Sequence, residues 1–224
     1  LCGILAMALT FAIARRILGE KSAVLALFCL VSTVLFLKYS RRAMHDVPVA
    51  AWTALGVYAV LRGLDEPRWF WLWGLSLALG YYTKAIQGLY VLPIGLVTVL
   101  LARPRLLWSP HLLGGLALAA GLAAPWVIAE TRLYGDYFLG SHAALGGLNI
   151  ALSGLTAPGG QVDLPPLDVR ALADPWLTLL REDWPWVLAS YAGLFLLVKG
   201  WFRNLPGHRL LAIWPLVILA ELSV

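Results

Sequence analysis

The sequence predicts an all-α, polytopic integral membrane protein, a bundle of about eight transmembrane segments with one long extracytoplasmic loop. Of its 224 residues, 61% are hydrophobic and 13% are charged, roughly half the charged fraction of a typical soluble domain. The mean hydropathy is +0.80. The charged residues form short clusters between apolar runs, which is the layout of membrane-spanning helices. These observations exclude a soluble domain.

Eight apolar runs are the predicted spans, at residues 1–14, 22–37, 47–61, 69–82, 86–102, 112–129, 185–198 and 210–224. Several are shorter than the ~20 residues of an untilted span, but Trp and Tyr at their ends can sit in the membrane interface and extend the match. The first and last runs are cut short, so we interpret the chain as an internal fragment.

Charged or turn residues separate the runs. In chain order, the connections are marked by Arg15 and Lys21, Lys38 and Asp46, Arg62 and Arg68, Thr83 and Lys84, Arg103 and Arg105, Glu130 and Trp184, and Lys199 and Arg209. Alternate connections lie on opposite sides of a membrane, and the side with the larger excess of Lys and Arg is cytoplasmic. This rule places Arg15, Arg62 and Arg103 on the cytoplasmic side. We expect an integral protein of a cytoplasmic (inner) membrane, of bacterial origin.

The long connection, residues 130–184, lies on the outer side within a single domain of residues 1–224. Its turn signals include Ala157-Pro158-Gly159-Gly160 and Leu164-Pro165-Pro166, which predict a loop with at most short helices. A loop of this length on one face usually has a function.

Three classes of function are disfavoured. The net charge is +5, but no basic cluster is long enough to follow a nucleic-acid backbone, so we expect no nucleic-acid partner. Cys2 and Cys29 lie in apolar runs without zinc-type spacing, so we assign neither a disulfide nor a metal to them. No ionisable residue falls in the middle of an intact span, whereas ion-coupled carriers usually have one there.

The segment before the third run carries the first candidate site. Asp46 has two interpretations: its carboxylate caps the helix that starts at Val47, or it takes part in acid/base chemistry or cation binding beside His45. Arg41 and Arg42 either contact membrane lipid headgroups or offer paired donors to a phosphate.

Lys84 is the sharpest candidate, because it stands on the outer side against the overall charge bias, in a tight turn between two apolar runs. An ammonium group there can bind an anionic headgroup or leaving group, although it could also be a lysine that extends to the interface. In the long loop, Asp136 and His142 are the remaining polar candidates on this face, and His142 alone would be taken as an ordinary loop histidine.

The order of these motifs resembles the polytopic GT-C glycosyltransferases of the protein O-mannosyltransferase and aminoarabinose transferase type. The resemblance rests on Arg-x-x-Met-x-Asp-x-Pro at 41–48, a hairpin turn at Thr83-Lys84, Ala124-Pro125-Trp126, and Gly135-Asp136-x-Phe138 followed by His142. It implies transfer of a sugar from a polyprenyl-phosphate donor to a protein, lipid or glycan acceptor on the outer face of the membrane.

The resemblance also implies roles for individual residues. Asp46 matches the second of two acidic positions, and His142 matches a histidine near the active site. Lys84, together with Arg41 and Arg42, would bind the donor phosphate. The first acidic position lies in a loop that this chain lacks, so Asp46 would orient the acceptor, hold the donor cations or bind a divalent metal ion. The family turn continues with Gly, but here Ala85 follows Lys84. A lipid-linked sugar flippase and a non-catalytic membrane subunit are the alternatives.

Overall fold

The computed structural model describes residues 1–42, 44–135 and Phe195. Between residues 1 and 135 it forms seven α-helices and three short 3₁₀ segments, and this part of the chain contains no strand. The α-helices are α1 (Cys2–Leu18), α2 (Glu20–Ser32), α3 (Val34–Ser40), α4 (Asp46–Gly63), α5 (Phe70–Lys84), α6 (Val91–Ala102) and α7 (Pro110–Tyr134). The 3₁₀ segments are Pro67–Trp69, Ala85–Leu89 and Pro104–Trp108.

The second predicted span is divided in two at Thr33. Its φ and ψ of −67° and 121° are extended rather than helical, and its hydroxyl donates to the Cys29 carbonyl over 2.9 Å. The Ser32 hydroxyl donates to the Phe28 carbonyl over 2.7 Å. Hydroxyl groups that bond back to carbonyls one turn earlier compete with the helical ladder and bend it, which explains why one apolar run gives two helices.

Helix α4 is the centre of the bundle, packed against α1, α5 and α6. Val57 and Val60 are fully buried on it, and Phe70 and Trp73 of α5 are fully buried beside them. The Trp73 indole N–H donates to the Val91 carbonyl over 3.3 Å, which ties α5 to the start of α6. A buried indole needs such a partner, so Trp73 serves the core and not a membrane interface.

Glycines bring α5 and α7 into backbone contact. A Cβ added at Gly74 would collide with the Gly115 backbone, and one added at Gly115 would collide with the Phe70 carbonyl. Helices in membranes often pack through small residues, because no hydrophobic force draws them together and close approach supplies the van der Waals energy. The residue pattern of this interface therefore suits a lipid environment.

The two ends of the α4–α5 hairpin carry different ion pairs, and we name them the Asp46 end and the Arg62 end. At the Asp46 end, the start of α4 meets the end of α5 through Asp46 and Lys84. At the Arg62 end, the end of α4 meets α1 through an ion pair of Arg16 with Asp65. The three described connections that the sequence assigned to the cytoplasmic side, those with Arg16, Arg62 and Arg103, lie together at the Arg62 end. The Asp46–Lys84 pair lies at the other end.

Among the described residues, α7 alone is both long and apolar enough to cross a membrane unaided. Its 25 residues span roughly 37 Å. It continues to Tyr134, so residues 130–134, which we placed in the long loop, are helical. Apolar side chains such as Leu25, Phe28 and Ile128 are exposed on the bundle surface. Apart from Gly135 and Phe195, the rest of the long loop and the last two predicted spans lie outside the described residues.

Candidate functional site

The structure joins two residues that the sequence singled out separately. The Lys84 ammonium nitrogen lies 2.7 Å from Oδ1 of Asp46, although 38 positions separate the two residues in the chain. The side chains are 41% and 47% exposed respectively. An ion pair this exposed contributes ~0–1 kcal/mol to stability, so it can open for a ligand at small cost.

The capping interpretation of Asp46 is wrong. The N-cap position is His45, no side chain caps this helix, and Asp46 is the first helical residue. Its carboxylate bonds to Lys84 instead. The positive end of the α4 dipole favours a carboxylate, and the negative end of the α5 dipole favours an ammonium group. The start of α4 therefore stabilises the Asp46 carboxylate, and the end of α5 stabilises the Lys84 ammonium group.

A second interhelical bond fixes the position of this pair. The Trp52 indole N–H donates to the Thr83 hydroxyl over 3.1 Å, and that hydroxyl donates to the Leu79 carbonyl over 2.6 Å. Trp52 lies between one and two turns after Asp46 on α4, and Thr83 immediately precedes Lys84. The bond therefore holds the two helices in the register that lets Asp46 meet Lys84. Trp52 is one of the tryptophans at span ends that the sequence predicts for the membrane interface, and no sequence pattern signals this bond.

The turn after Lys84 has an unusual backbone. Ala85 has a φ of 49° and a ψ of −129°, a region that residues other than glycine adopt only with strain. Three residues later, Gly88 touches Gly80, and a Cβ on either would collide with the backbone of the other. The 3₁₀ segment thus folds back directly against α5. The turn that this one resembles continues with Gly after Lys, whereas this chain has a strained Ala at that position.

The remaining predicted residues fall into two groups. Arg41, Arg42 and His45 are exposed in the connection just before α4, at the Asp46 end. Within the described part of the chain, neither arginine forms an ion pair. Asp136 and His142 lie outside the described residues.

An apolar groove of about 300 Å³ opens beside this end, between α5, α7 and the segment leading into α6. It is lined by Leu77, Ala78, Tyr81, Leu89, Leu92, Leu116, Ala119, Ala120, Ala123 and Val127. Tyr81 stands one turn before Lys84, so the groove reaches the helical turn that carries the ammonium group. The sequence does not predict this groove, because alanines that line a groove have the same hydropathy pattern as alanines packed inside a helix bundle.

The outer wall of this region is held by Tyr82. Its hydroxyl donates to the Leu122 carbonyl over 2.5 Å, and its ring meets Trp126 edge to face, with centroids 6.4 Å apart. Pro125 lies inside α7 and removes one backbone donor from that helix. Tyr82 and Trp126 thus pin α5 to α7 near the proline.

The residues that the structure describes contain no group of three or more His, Cys, Asp or Glu side chains able to hold a metal ion. Asp46 and its neighbour His45 are therefore not part of such a cluster within this region. A divalent cation at the site stays a prediction.

Comparisons with known proteins identify a relationship. Residues 1–128 match the family described as dolichyl-phosphate-mannose-protein mannosyltransferase. The chain is also 28% identical over 144 residues to a protein of Aquifex aeolicus (strain VF5) described as uncharacterized. That alignment covers 62% of this chain and 29% of the relative, so the chain spans less than a third of that protein's length. No solved structure matches the chain.

Proposed function

Since the chain belongs to the dolichyl-phosphate-mannose-protein mannosyltransferase family, within the GT-C glycosyltransferases, we propose that it is part of a polyprenyl-phosphate-dependent sugar transferase. The family consists of integral membrane glycosyltransferases. The proposed reaction moves a sugar from a polyprenyl-phosphate donor to a protein, lipid or glycan acceptor on the outer face of the cytoplasmic membrane. The observation that carries the proposal is the Asp46–Lys84 ion pair.

Lys84 is the proposed donor-phosphate ligand. During transfer, the bond between the anomeric carbon and the phosphate oxygen breaks, and its electron pair leaves with the polyprenyl phosphate. A fixed ammonium group beside that oxygen stabilises the developing negative charge. The pair supports this role because Lys84 is already oriented, yet is exposed enough to exchange a carboxylate partner for a phosphate.

Asp46 is the proposed orienting carboxylate. It holds Lys84 before the donor binds, and afterwards it can accept a hydrogen bond from the acceptor hydroxyl. The proton that this hydroxyl loses when it attacks the anomeric carbon goes to a base, and the related families imply a different acidic residue for that step. This division of roles agrees with an Asp46 that is already engaged by a cation at 2.7 Å.

Two neighbouring features fit the rest of the donor. The apolar groove that ends at Tyr81 is lined almost wholly by Leu, Ala and Val, which suits an isoprenoid chain lying in the membrane. Arg41 and Arg42 are exposed at the same end of the bundle and can add bidentate contacts to the phosphate oxygens.

The buried polar residues argue against a flippase. In the part of the chain that the structure describes, they are Thr53, Ser76 and Thr98. The Ser76 and Thr98 hydroxyls donate to carbonyls of their own helices, over 2.7 and 2.6 Å. A route for a sugar through this region would need polar groups that are not already bonded. The joining of Asp46 and Lys84 likewise disfavours a purely structural subunit.

The test is Asp46→Asn in the full-length protein, with Asp65→Asn as the matched control. Both aspartates are ion-paired at ends of the same hairpin, so the two substitutions remove equivalent charges. We expect Asp46→Asn to lower sugar transfer from a polyprenyl-phosphate donor by about 10² or more, and Asp65→Asn to leave most of it. Unchanged sugar transfer with Asp46→Asn would contradict the proposed role of the Asp46–Lys84 pair.

A further inference from the structure

A basic pocket lies between α1 and α4 at the Arg62 end, on the opposite end of the bundle from Lys84. Its volume is about 390 Å³, and it is lined by Phe11, Ala12, Arg15, Arg16, Tyr58 and Arg62. Three of these six side chains are arginines. This volume is within the range of sites that hold small organic molecules, about 300–1,000 Å³.

The arginines of this pocket are incompletely neutralised. Asp65 pairs with Arg16 and also lies 3.6 Å from Arg103. Glu66 is shared in the same way, between Arg62 at 3.2 Å and Arg68 at 2.6 Å. Two carboxylates therefore serve four arginines.

Of the three arginines that line the pocket, Arg15 is the one that these carboxylates do not contact. It is exposed on the last turn of α1, and within the described residues it has no ion-pair partner. Together with the shared carboxylates, this leaves the pocket with a surplus of positive charge and with guanidinium groups able to accept a further anion.

Arg62 adds a second, independent observation. Its Nε atom is buried and has no hydrogen-bond partner within the described residues. Its guanidinium lies over the Trp69 ring, 5.0 Å from the centroid, and Tyr58 packs edge to face on the same ring at 5.9 Å. A buried donor without a partner is costly to leave unbonded, and the stacking on Trp69 restricts the guanidinium group beside the pocket.

We propose that this pocket binds the phosphate of an anionic lipid headgroup. Basic pockets between membrane helices recognise such headgroups, because a phosphodiester accepts the paired hydrogen bonds that guanidinium groups donate. The pocket lies at helix ends, where headgroups are concentrated, and Phe11 and Tyr58 offer apolar surface to the adjoining glycerol. The proposal does not depend on the transferase activity.

The experiment compares lipid binding by the full chain in nanodiscs. Phosphatidylglycerol is added to a phosphatidylcholine background, and retained lipid is counted by native mass spectrometry alongside the thermal midpoint. We expect phosphatidylglycerol to be retained preferentially and to raise the midpoint. Arg15→Gln should weaken this binding by about tenfold, the loss expected for a charge-assisted hydrogen bond. Arg15→Lys should weaken it less, because it keeps the charge but not the bidentate fork.

Arg105→Gln is the matched control, since Arg105 is exposed at the same end but outside the pocket. It should change binding by less than about twofold. Equal losses with Arg15→Gln and Arg105→Gln would reduce the effect to general surface charge and overturn the proposal. Inorganic phosphate that stabilises the protein as strongly as phosphatidylglycerol would overturn the lipid assignment.

Discussion

The two ends of the α4–α5 hairpin use the same charges in different arrangements. At the Asp46 end, one half-exposed carboxylate meets one ammonium group. At the Arg62 end, Asp65 and Glu66 are each shared by two arginines. A shared network survives the loss of any one contact, whereas a single pair can be opened by one competing anion. The difference fits the proposed function, in which the Asp46 end binds the donor while the shared network at the Arg62 end holds the helices together.

The largest effect is expected when one cation is removed from each end of the hairpin. Lys84→Gln should lower sugar transfer in the full-length protein by about 10²–10³, because it removes the positive charge beside the leaving phosphate. Arg103→Gln at the other end should lower transfer by less than about threefold. Initial rates at saturating donor measure both effects, and circular dichroism checks that both variants fold. Equal losses at the two ends would remove the functional distinction between them.

The second test concerns the bond that positions the Asp46 end. A double-mutant cycle of Trp52→Phe and Thr83→Val should give a coupling energy of about 1 kcal/mol, the value of one net hydrogen bond. Transfer should fall severalfold in each single variant, since Lys84 loses its fixed register. Denaturant unfolding and initial rates provide the two readouts. A coupling energy near zero would mean that the bond does not join the helices.

A smaller effect comes from the backbone of the turns. Ala85→Gly should raise stability by about 0.5–1 kcal/mol, because glycine accepts the positive φ of that position without strain. At the Arg62 end the reverse substitution, Gly19→Ala, should lower stability by a similar amount, since Gly19 has a φ of 88°. Thermal midpoints of the two variants measure this pair. Two shifts of the same sign would show that the turn conformations do not govern stability.

The smallest effect is the pH dependence of the Arg62 end. A hydrogen bond from Arg68 lowers the pKa of Glu66 below its ordinary value of 4.5. Because the pKa of Glu66 is depressed in the folded state, its stabilising contribution is present above about pH 4.5. This contribution is lost as the pH falls through the folded-state pKa. Glu66→Gln should therefore flatten the fall in stability on acidification below pH 4.5. An unchanged acid profile, measured by thermal unfolding, would contradict this contribution.

Much of the helical layout could be predicted, because apolar runs bounded by charges specify spans directly. The meeting of Asp46 with Lys84 was also foreseeable, since antiparallel helices return to the same face. The break at Thr33 was not, because hydropathy does not register a hydroxyl that bonds to its own backbone. The bond of Trp52 to Thr83 was not foreseeable for a related reason: a tryptophan near a helix end has the same composition signal whether or not it bonds to a neighbouring helix.

Close backbone approaches were also invisible in the sequence. A glycine that lets two backbones touch, as Gly74 does with Gly115, has no hydropathy signature that separates it from a glycine elsewhere in a helix. The sharing of Asp65 and Glu66 by four arginines needs three connections to converge, and no local pattern contains that information. Within the described residues, sequence patterns thus predicted which connections share an end of the bundle, but not which atoms meet there.

The contact between Gly80 and Gly88 makes the turn at Lys84 intolerant of insertions and deletions. Each additional residue within α5 rotates the following side chains by roughly 100° and advances them by about 1.5 Å. With two backbones already touching, the turn has no slack to absorb the change. One inserted residue between 80 and 84 would therefore direct Lys84 away from Asp46 while every helix still formed. A substitution here changes one side chain, whereas an insertion or deletion would change which helix the Lys84 ammonium group faces.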